Sequence, residues 1–310
     1  MKGKNLIYGQ AQSAADRFGL FAFYVLATGC RSHGRLRDPC CAGQWNAYCP
    51  FVGIEKIEIQ KPDEIPGLKV VPREFTSEKS DHLADRLKGG IYGVCCADAV
   101  GLPVQFENRE ERKKKPVTGM QGYGVFHQPP GTWSDDSSLT LCLLDSLSGG
   151  LDYHDIMVKF RRWLENGSYT PFQKAFDIGN STYQSIKRFE HGMEPLQCGG
   201  KEERDNGNGS LMRILPLAFY LFPRYGADVV RSEPAMEAVH NVSALTHAHA
   251  RSRIACGIDI SIACRLINGD ALREAVKTGI SEAMNFYRRH AEFAAELTYF
   301  GRLSDETFNS

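Results

Sequence analysis

From residue 80 onward, apolar residues recur at spacings of three and four, the repeat of one face of an α-helix. Residues 83–94 show this pattern first, and residues 137–147 repeat it. Further amphipathic stretches cover residues 253–267 and 271–290, while residues 211–222 form an apolar segment interrupted by Pro216. Strand signals are nearly absent after residue 80. The sequence therefore predicts an all-α main domain, with a kink or helix break at the proline.

The chain changes character near residue 80, which divides it into an N-terminal segment (1–80) and a helical domain (81–310). Residues 51–74 contain strand-like stretches in which Val and Ile alternate with Glu and Lys, punctuated by Pro62 and Pro66. No function is assigned to this segment. We expect it to be short, irregular or β-containing, appended to the helical bundle.

The charge balance argues against two classes of partner. Lys plus Arg number 37 and Asp plus Glu number 37, so the formal net charge is zero. A balanced chain lacks the basic surface that binds nucleic acid or anionic membranes. The one short basic run, residues 113–115, follows Glu110 and Glu111 and is typical of a solvated helix end or loop. We expect neither nucleic acid nor membrane as a partner.

Cysteine usage favours a reducing compartment. A chain of 310 residues does not need a disulfide framework, and most of its cysteines after residue 80 lie in apolar runs. We therefore expect a cytoplasmic protein. Two weaker alternatives concern the N-terminal segment. Cys30, His33, Cys40, Cys41 and Cys49 could bind zinc, although their spacing fits no standard pattern. The apolar run 19–30 could be an export signal, although it is too short to span a bilayer.

The segment Pro129-Pro130-Gly131-Thr132-Trp133-Ser134-Asp135-Asp136 predicts a helix start. The prolines and glycine stop the chain, Ser134 stands at the N-cap, and two carboxylates follow in the first turn. A well-capped helix is one interpretation, and on spacing alone it is favoured. A site for a hard cation is the other, because a hydroxyl and two carboxylates bring several oxygens together, as Mg²⁺ requires.

Three other segments carry candidate site residues. The turn Gly207-Asn208-Gly209-Ser210 predicts either an ordinary turn with Ser210 as N-cap or a phosphate seat on the amides of the following helix. His247 is either a core residue or a ligand contact. Asp98 lies in an apolar run that ends at Gly101, so it should be buried and paired, for a structural or a ligand-directed reason.

Taken together and in this order, these motifs over residues 83–305 resemble the ADP-ribosylglycohydrolase family. The resemblance implies a compact orthogonal bundle of α-helices with a metal-lined cleft that holds one or two Mg²⁺ ions, with Mn²⁺ in some relatives. It implies hydrolysis of the N- or O-glycosidic bond between ADP-ribose and a protein or small-molecule acceptor. The residues implied to bind metal are Ser134, Asp135 and Asp136, and those implied to bind substrate are Asp98, Asn208, Gly209, Ser210 and His247. Asp135 and Asp136 are also the implied catalytic acids.

The sequence departs from the family pattern at two places. Gln105 stands where many relatives carry a Glu that is a candidate acid or base, and an amide cannot exchange a proton in that way. Gln105 nevertheless remains a candidate catalytic position. The family's late Gly-Asp-x-Asp-Thr motif, which supplies further metal ligands, is not found around Asp270 or Asp305. The chain is therefore expected to stop before the segment that completes the metal site.

Three functions remain open at this level. The first is a Mg²⁺-dependent hydrolase that removes ADP-ribose from an ADP-ribosylated protein or small molecule. The second is an ADP-ribose- or nucleotide-binding protein with impaired catalysis, which Gln105 favours. The third is a truncated gene product that folds poorly.

Overall fold

The computed structural model describes residues 81–304, without the side chains of Asp81, His82, Arg109 and Ser304. Within this range the chain forms nine α-helices and no strand, which confirms the predicted all-α class. The helices are α1 (Asp81–Gly101), α2 (Arg109–Lys114), α3 (Asp135–Ser148), α4 (Tyr153–Asn166), α5 (Asn180–Glu190), α6 (Leu215–Tyr225), α7 (Glu233–Ala244), α8 (Ala250–Asn268) and α9 (Leu272–Tyr287). A 3₁₀-helical segment, Ala291–Ser304, follows them. The predictions for residues 1–80 lie outside the described residues.

The centre of the fold is α8, which is buried along most of its length and packs against α6, α7 and α9. Gly257 lets Tyr287 approach its backbone, since a Cβ atom there would overlap the tyrosine hydroxyl. Burial of each large apolar side chain contributes about 1.5–3 kcal/mol. The first helical layer, α3 and α4, joins the same core through Leu139, Phe160 and Trp163, all fully buried.

Local capping explains where the helices begin and end. Asp152 caps α4 by accepting hydrogen bonds from the amides of His154 and Asp155, at 2.8 and 3.1 Å. The same helix ends at Gly167, which has φ +65°, a left-handed conformation that glycine adopts at little cost. His249 caps α8 through its ring, and the left-handed Gly269 ends that helix.

The apolar segment 211–222 is not one helix. A short 3₁₀ turn, Leu211–Arg213, precedes α6, and Ile214 separates the two. Pro216 then lies in the first turn of α6, where its missing N–H has no intrahelical partner to lose. The predicted break is therefore confirmed, and it falls just before the proline.

The remaining predictions on solvation and cysteines also agree with the structure. The basic run ends α2, where Lys113 and Lys114 pair with Glu110 and Glu111 on an exposed face. All six cysteines between residues 81 and 304 are free thiols, and four are buried. Over the same range, no helix combines the length and apolarity needed to cross a lipid bilayer.

Candidate active site

A cleft of about 680 Å³ opens where four parts of the chain meet. The end of α1 and the start of α3 form one wall, which is acidic. The start of α5 and the turn 207–209 form the opposite wall, and His247 lies beside that turn. The acidic wall includes Asp98, Ser134, Asp135 and Asp136, and the opposite wall includes Gly179, Asn180, Ser181, Thr182, Asn208 and Gly209.

Asp98 anchors the start of α3. Its carboxylate accepts hydrogen bonds from the amides of Ser134 (2.9 Å) and Ser137 (3.0 Å) and from their hydroxyls, at 2.7 and 2.6 Å. Burial raises the pKa of Asp98, and these four bonds oppose that rise. The prediction that Asp98 is buried and paired is confirmed. The four bonds join the end of α1, which carries Asp98, to the start of α3.

The first turn of α3 presents the two other acids to the cleft. Ser134 is the N-cap, as predicted, and its hydroxyl accepts a hydrogen bond from the Asp136 amide at 3.4 Å. Asp135 is 6% exposed. Its burial, followed by the negative charges of Asp136, Asp177 and Asp98, raises the pKa of Asp135 to about 9. Among the described residues, no Lys or Arg forms an ion pair with Asp135. The carboxyl groups of Asp136, Asp177 and Asp98 thus lie close enough to Asp135 to favour its protonated form.

Asp177 is a site residue that the sequence analysis missed. It lines the cleft, is half-buried, and accepts a hydrogen bond from the side chain of Gln105. Burial raises the pKa of Asp177. Its φ is +54°, a strained conformation for a non-glycine residue, and such strain concentrates at functional sites. The sequence signal was weak, because an Asp two residues before a glycine is typical of a surface turn.

The start of α5 was also missed. Its N-cap residue is Gly179, and no side chain caps this helix start. Thr182, in the first turn, is 1% exposed, and its hydroxyl oxygen has no hydrogen-bond partner in the described structure. The N-terminus of an uncapped helix attracts anions through its amides and dipole. The combination favours a ligand with negatively charged oxygens at this wall.

The turn 207–209 approaches His247 closely. A Cβ atom at Gly209 would lie 2.7 Å from His247 Cε1 and 3.1 Å from the Thr182 hydroxyl, so glycine is required there. His247 is 3% exposed, and burial with the nearby Arg213 charge lowers its pKa to about 4. The ring is therefore neutral at physiological pH. His247 lies both in the core and at the cleft, so the two sequence interpretations are not exclusive.

Ser210 departs from its prediction. Its hydroxyl is fully buried and is bonded by the Ser243 hydroxyl at 2.9 Å, away from the residues that line the cleft. Ser210 occupies the N-cap position of the turn Leu211–Arg213 but makes no capping bond. The helix amides expected after this turn are likewise absent, since only a three-residue 3₁₀ turn follows. The uncapped helix start that faces the cleft is α5 instead.

The other predicted residues are brought together in one place. They are Asp98, Gln105, Ser134, Asp135, Asp136, Asn208, Gly209 and His247, all of which line the cleft. The structure adds Asp177, the start of α5, and the exposed Arg204 at the rim. The oxygen atoms at the acidic wall suit a hard divalent cation, which prefers oxygen ligands. A bound cation would also relieve the mutual repulsion of these carboxyl groups. Ser134, Asp135 and Asp136 are the residues that would hold it.

Over residues 81–304, the fold and the cleft thus define an all-helical domain whose cleft combines an acidic wall with an uncapped helix start. Comparison with known proteins names the class: a family profile described as ADP-ribosylglycohydrolase matches residues 79–307, and the chain belongs to that family.

Individual relatives carry related names. The chain is 30% identical over 194 residues to an ADP-ribosylarginine hydrolase of Serratia proteamaculans, covering 62% of this chain and 50% of the relative. It is 31% identical over 216 residues to the ADP-ribosyl-[dinitrogen reductase] glycohydrolase of Rhodospirillum rubrum, covering 68% and 67%. A solved structure titled ADP-ribosylglycohydrolase-related protein complex aligns with a TM-score of 0.49 at 24% identity, covering 71% of this chain and 68% of that one. The chain spans about half the length, or less, of the ADP-ribosylarginine hydrolases that it matches.

Proposed function

We propose that this chain hydrolyses the glycosidic bond between ADP-ribose and an acceptor, with one or two Mg²⁺ ions, or Mn²⁺, at the acidic wall. The observation that carries the proposal is the pairing of two unlike walls in one cleft. Asp135 and Asp136 present carboxyl oxygens, while the start of α5 and the turn 207–209 present hydrogen-bond donors. ADP-ribose has ribose hydroxyls that suit a metal-bearing wall and a diphosphate that suits a donor wall.

At the acidic wall, the chain's own residues fix the geometry. Asp98 holds Ser134 and Ser137 in place, so the first turn of α3, which carries Asp135 and Asp136, is fixed at the cleft before any ligand arrives. A bound divalent ion would hold ribose hydroxyls and a water in place and lower the pKa of that water, while carboxylates beside it would offset the positive charge that develops as the anomeric carbon becomes oxocarbenium-like. Preorganisation of this kind avoids reorganisation during the reaction.

The wall formed by the start of α5 and the turn 207–209 is called the donor wall below. Three groups there can bind the diphosphate. The amides at the start of α5 provide a partial positive charge, the Thr182 hydroxyl lacks a partner, and His247 is a neutral ring beside Gly209. Together they would orient ADP-ribose with its reacting ribose toward Asp135. Orientation of the substrate is itself a large part of a rate enhancement.

Asp177 is the group we propose for proton transfer. Gln105 cannot exchange a proton, but its side chain holds Asp177, and burial raises the pKa of that carboxyl toward the range useful for general acid–base catalysis. Asp177 would accept a proton from the attacking water or return one to the leaving acceptor. Asp177 would thereby supply the proton-transfer group that Gln105 cannot provide.

The acceptor is proposed at the level of class. The printed names of the relatives specify arginine and dinitrogen reductase as bearers of the ADP-ribose. An ADP-ribosylated protein, or a small ADP-ribosyl compound, is accordingly the substrate class we propose. The free thiols in residues 81–304 support a cytoplasmic location for this reaction.

A second function is an ADP-ribose-binding protein without turnover, and Gln105 favours it. The variant Gln105→Glu separates the two, because an added carboxyl would raise activity only if an acid at this position limits the rate.

The direct test measures release of ADP-ribose from an ADP-ribosylated protein by the purified chain, in Mg²⁺ and in chelator. Release that needs Mg²⁺ supports the hydrolase. Binding of ADP-ribose without release by folded protein would favour the second function, and neither binding nor release would overturn both.

A further inference from the structure

Arg213 is a buried cation that the proposed mechanism does not use. It lies in the turn Leu211–Arg213, is fully buried, and stacks over the Phe160 ring at 4.5 Å. Burial lowers its pKa to about 10, so the guanidinium stays charged at neutral pH. Its Nη2 donates to the carbonyl of Val242 at 3.2 Å and to the hydroxyl of Thr246 at 2.8 Å. Such burial is costly for a charged group, so its few contacts should matter.

The contact with Thr246 has a consequence for the neighbouring histidine. A threonine hydroxyl has one hydrogen to donate and two lone pairs to accept with. Arg213 can only donate, so it occupies a lone pair and leaves the hydroxyl hydrogen available. That hydroxyl is fully buried and lies 2.9 Å from Nδ1 of His247. The buried hydroxyl hydrogen of Thr246 has a hydrogen-bond partner when Nδ1 of His247 accepts it.

This hydrogen-bond order selects one form of the neutral imidazole. If Nδ1 accepts from Thr246, then Nε2 carries the ring proton. The Nε2 side of the ring faces the turn 207–209, since a Cβ atom at Gly207 would lie 3.6 Å from Nε2 and one at Gly209 would lie 3.1 Å from it. His247 also lines the cleft. The proton is thus directed to the donor wall.

The backbone around the pair is fixed as well. The hydroxyl of Ser185, in α5, donates to the Thr246 carbonyl at 3.1 Å, and the His247 amide bonds to the Ser243 carbonyl at 2.8 Å. These contacts tie the Thr246–His247 segment to α5 and α7. The imidazole ring is itself 3% exposed and lies close to Gly209, so the space around it is limited as well.

We infer that Arg213 and Thr246 are positioning residues, which hold His247 as a neutral hydrogen-bond donor whose Nε2–H is directed at an oxygen acceptor of the bound ligand. The inference rests on the proposed function for the identity of that ligand, ADP-ribose. It adds that the recognised atom is an acceptor, either a diphosphate oxygen or a ribose oxygen. The other tautomer would offer a lone pair there and would repel an anionic oxygen.

The test combines nuclear magnetic resonance with two matched variants of the full chain. Thr246→Ser keeps the hydroxyl, and Thr246→Val replaces it with a methyl group. In ¹⁵N-labelled wild type and Thr246→Ser, His247 should show a protonated Nε2 and an unprotonated Nδ1. In Thr246→Val, the two tautomers should both be populated, since the hydroxyl no longer donates to Nδ1.

ADP-ribose affinity provides the second measurement, by isothermal titration. Thr246→Val should weaken the dissociation constant about tenfold, the value of roughly one hydrogen bond, and Thr246→Ser should stay close to wild type. A wild-type spectrum with the proton on Nδ1 would overturn the inference. So would a Thr246→Val protein with unchanged tautomer and unchanged affinity. Because the spectrum needs no ligand, failure of wild type to bind ADP-ribose would count against the proposed function alone.

Discussion

Two helix starts line the cleft, and they differ in how their hydrogen-bonding groups are satisfied. At α3, the amides of Ser134 and Ser137 are bonded by Asp98, and Ser134 caps the helix. At α5, no side chain caps the helix, and the hydroxyl of Thr182 has no partner in the described structure. At the start of α3, the amide donors are already bonded by Asp98 and Ser134, and further carboxyl groups line the cleft. At the start of α5, hydrogen-bond donors remain available to a ligand. The first wall suits a cation and the second suits an anion.

The largest effect should come from removing the anchor of the acidic wall. Asp98→Ala would leave two amides and two hydroxyls at the start of α3 without their buried acceptor. We expect the free energy of unfolding to fall by about 4 kcal/mol, measured by urea denaturation. The matched variant Asp98→Asn keeps one acceptor oxygen and should lose less. A loss below about 1 kcal/mol for Asp98→Ala would mean that α3 starts without this anchor.

Neutralising Asp135, an acid that lines the cleft, should raise the free energy of unfolding. Asp135→Asn removes a carboxyl whose burial and negatively charged neighbours disfavour its ionised form, so the free energy of unfolding without metal should rise by about 1 kcal/mol. Any metal-dependent release of ADP-ribose should fall about a hundredfold or more. Activity retained at the wild-type level would refute the assignment of Asp135 as a metal ligand.

Asp259 is a third buried carboxylate, and it belongs to neither wall of the cleft. Asp259, in α8, is 8% exposed and lines a second cavity of about 680 Å³ that also reaches Asp136. Its Oδ2 has no partner among the described residues, and burial raises the pKa of Asp259 to about 8. Asp98 is buried to a similar degree but has four donors.

The raised pKa of Asp259 predicts a pH-dependent stability. Between its ordinary pKa of 3.8 and the folded value of about 8, the folded state holds a proton that the unfolded state releases. Stability from this group is therefore lost as the pH rises through that window. Asp259→Asn should gain stability over wild type progressively as the pH rises from 4 to 8, with no gain at pH 4, measured by urea denaturation across this range. Equal stability of the two proteins at both pH values would show that Asp259 finds a partner in solution.

The smallest effect should come from the donor wall. Thr182→Val removes a hydroxyl without a partner, so the free energy of unfolding should not fall. Affinity for ADP-ribose should weaken about tenfold if the hydroxyl binds the ligand. Ser181→Ala, at the next position, is a matched control, since its hydroxyl already lies 3.5 Å from an oxygen of Asp205. Unchanged affinity of Thr182→Val for ADP-ribose would place the ligand elsewhere.

The acidic wall was predictable because its signals are local. Two prolines and a glycine end one segment, and Ser134, Asp135 and Asp136 begin the next, so capping rules place the helix start correctly. Asp98 could be predicted as buried and paired from its apolar neighbours. Its partners could not, because Ser134 and Ser137 are 36 and 39 residues away.

The donor wall was not predictable because it depends on long-range packing. Asp177 and the start of α5 reach the cleft through a loop in which Tyr169, Gln173 and Asp177 all adopt positive φ. No local rule assigns that conformation to these residue types. Ser210 was also not predictable, because its bonding partner, Ser243, belongs to another helix, α7, and is brought close by tertiary packing. Short motifs indicated which segments matter, and packing decided which atoms face the ligand.

The central claim is that the two walls act on one ligand, and calorimetry tests it directly. ADP-ribose is titrated into the chain in Mg²⁺ and in chelator, for wild type, Asp135→Asn and Thr182→Val. Mg²⁺ should tighten binding to wild type and to Thr182→Val but not to Asp135→Asn, and Thr182→Val should bind more weakly in both conditions. Equal affinity of wild type in Mg²⁺ and in chelator would contradict the account, because the acidic wall would then take no part in binding ADP-ribose.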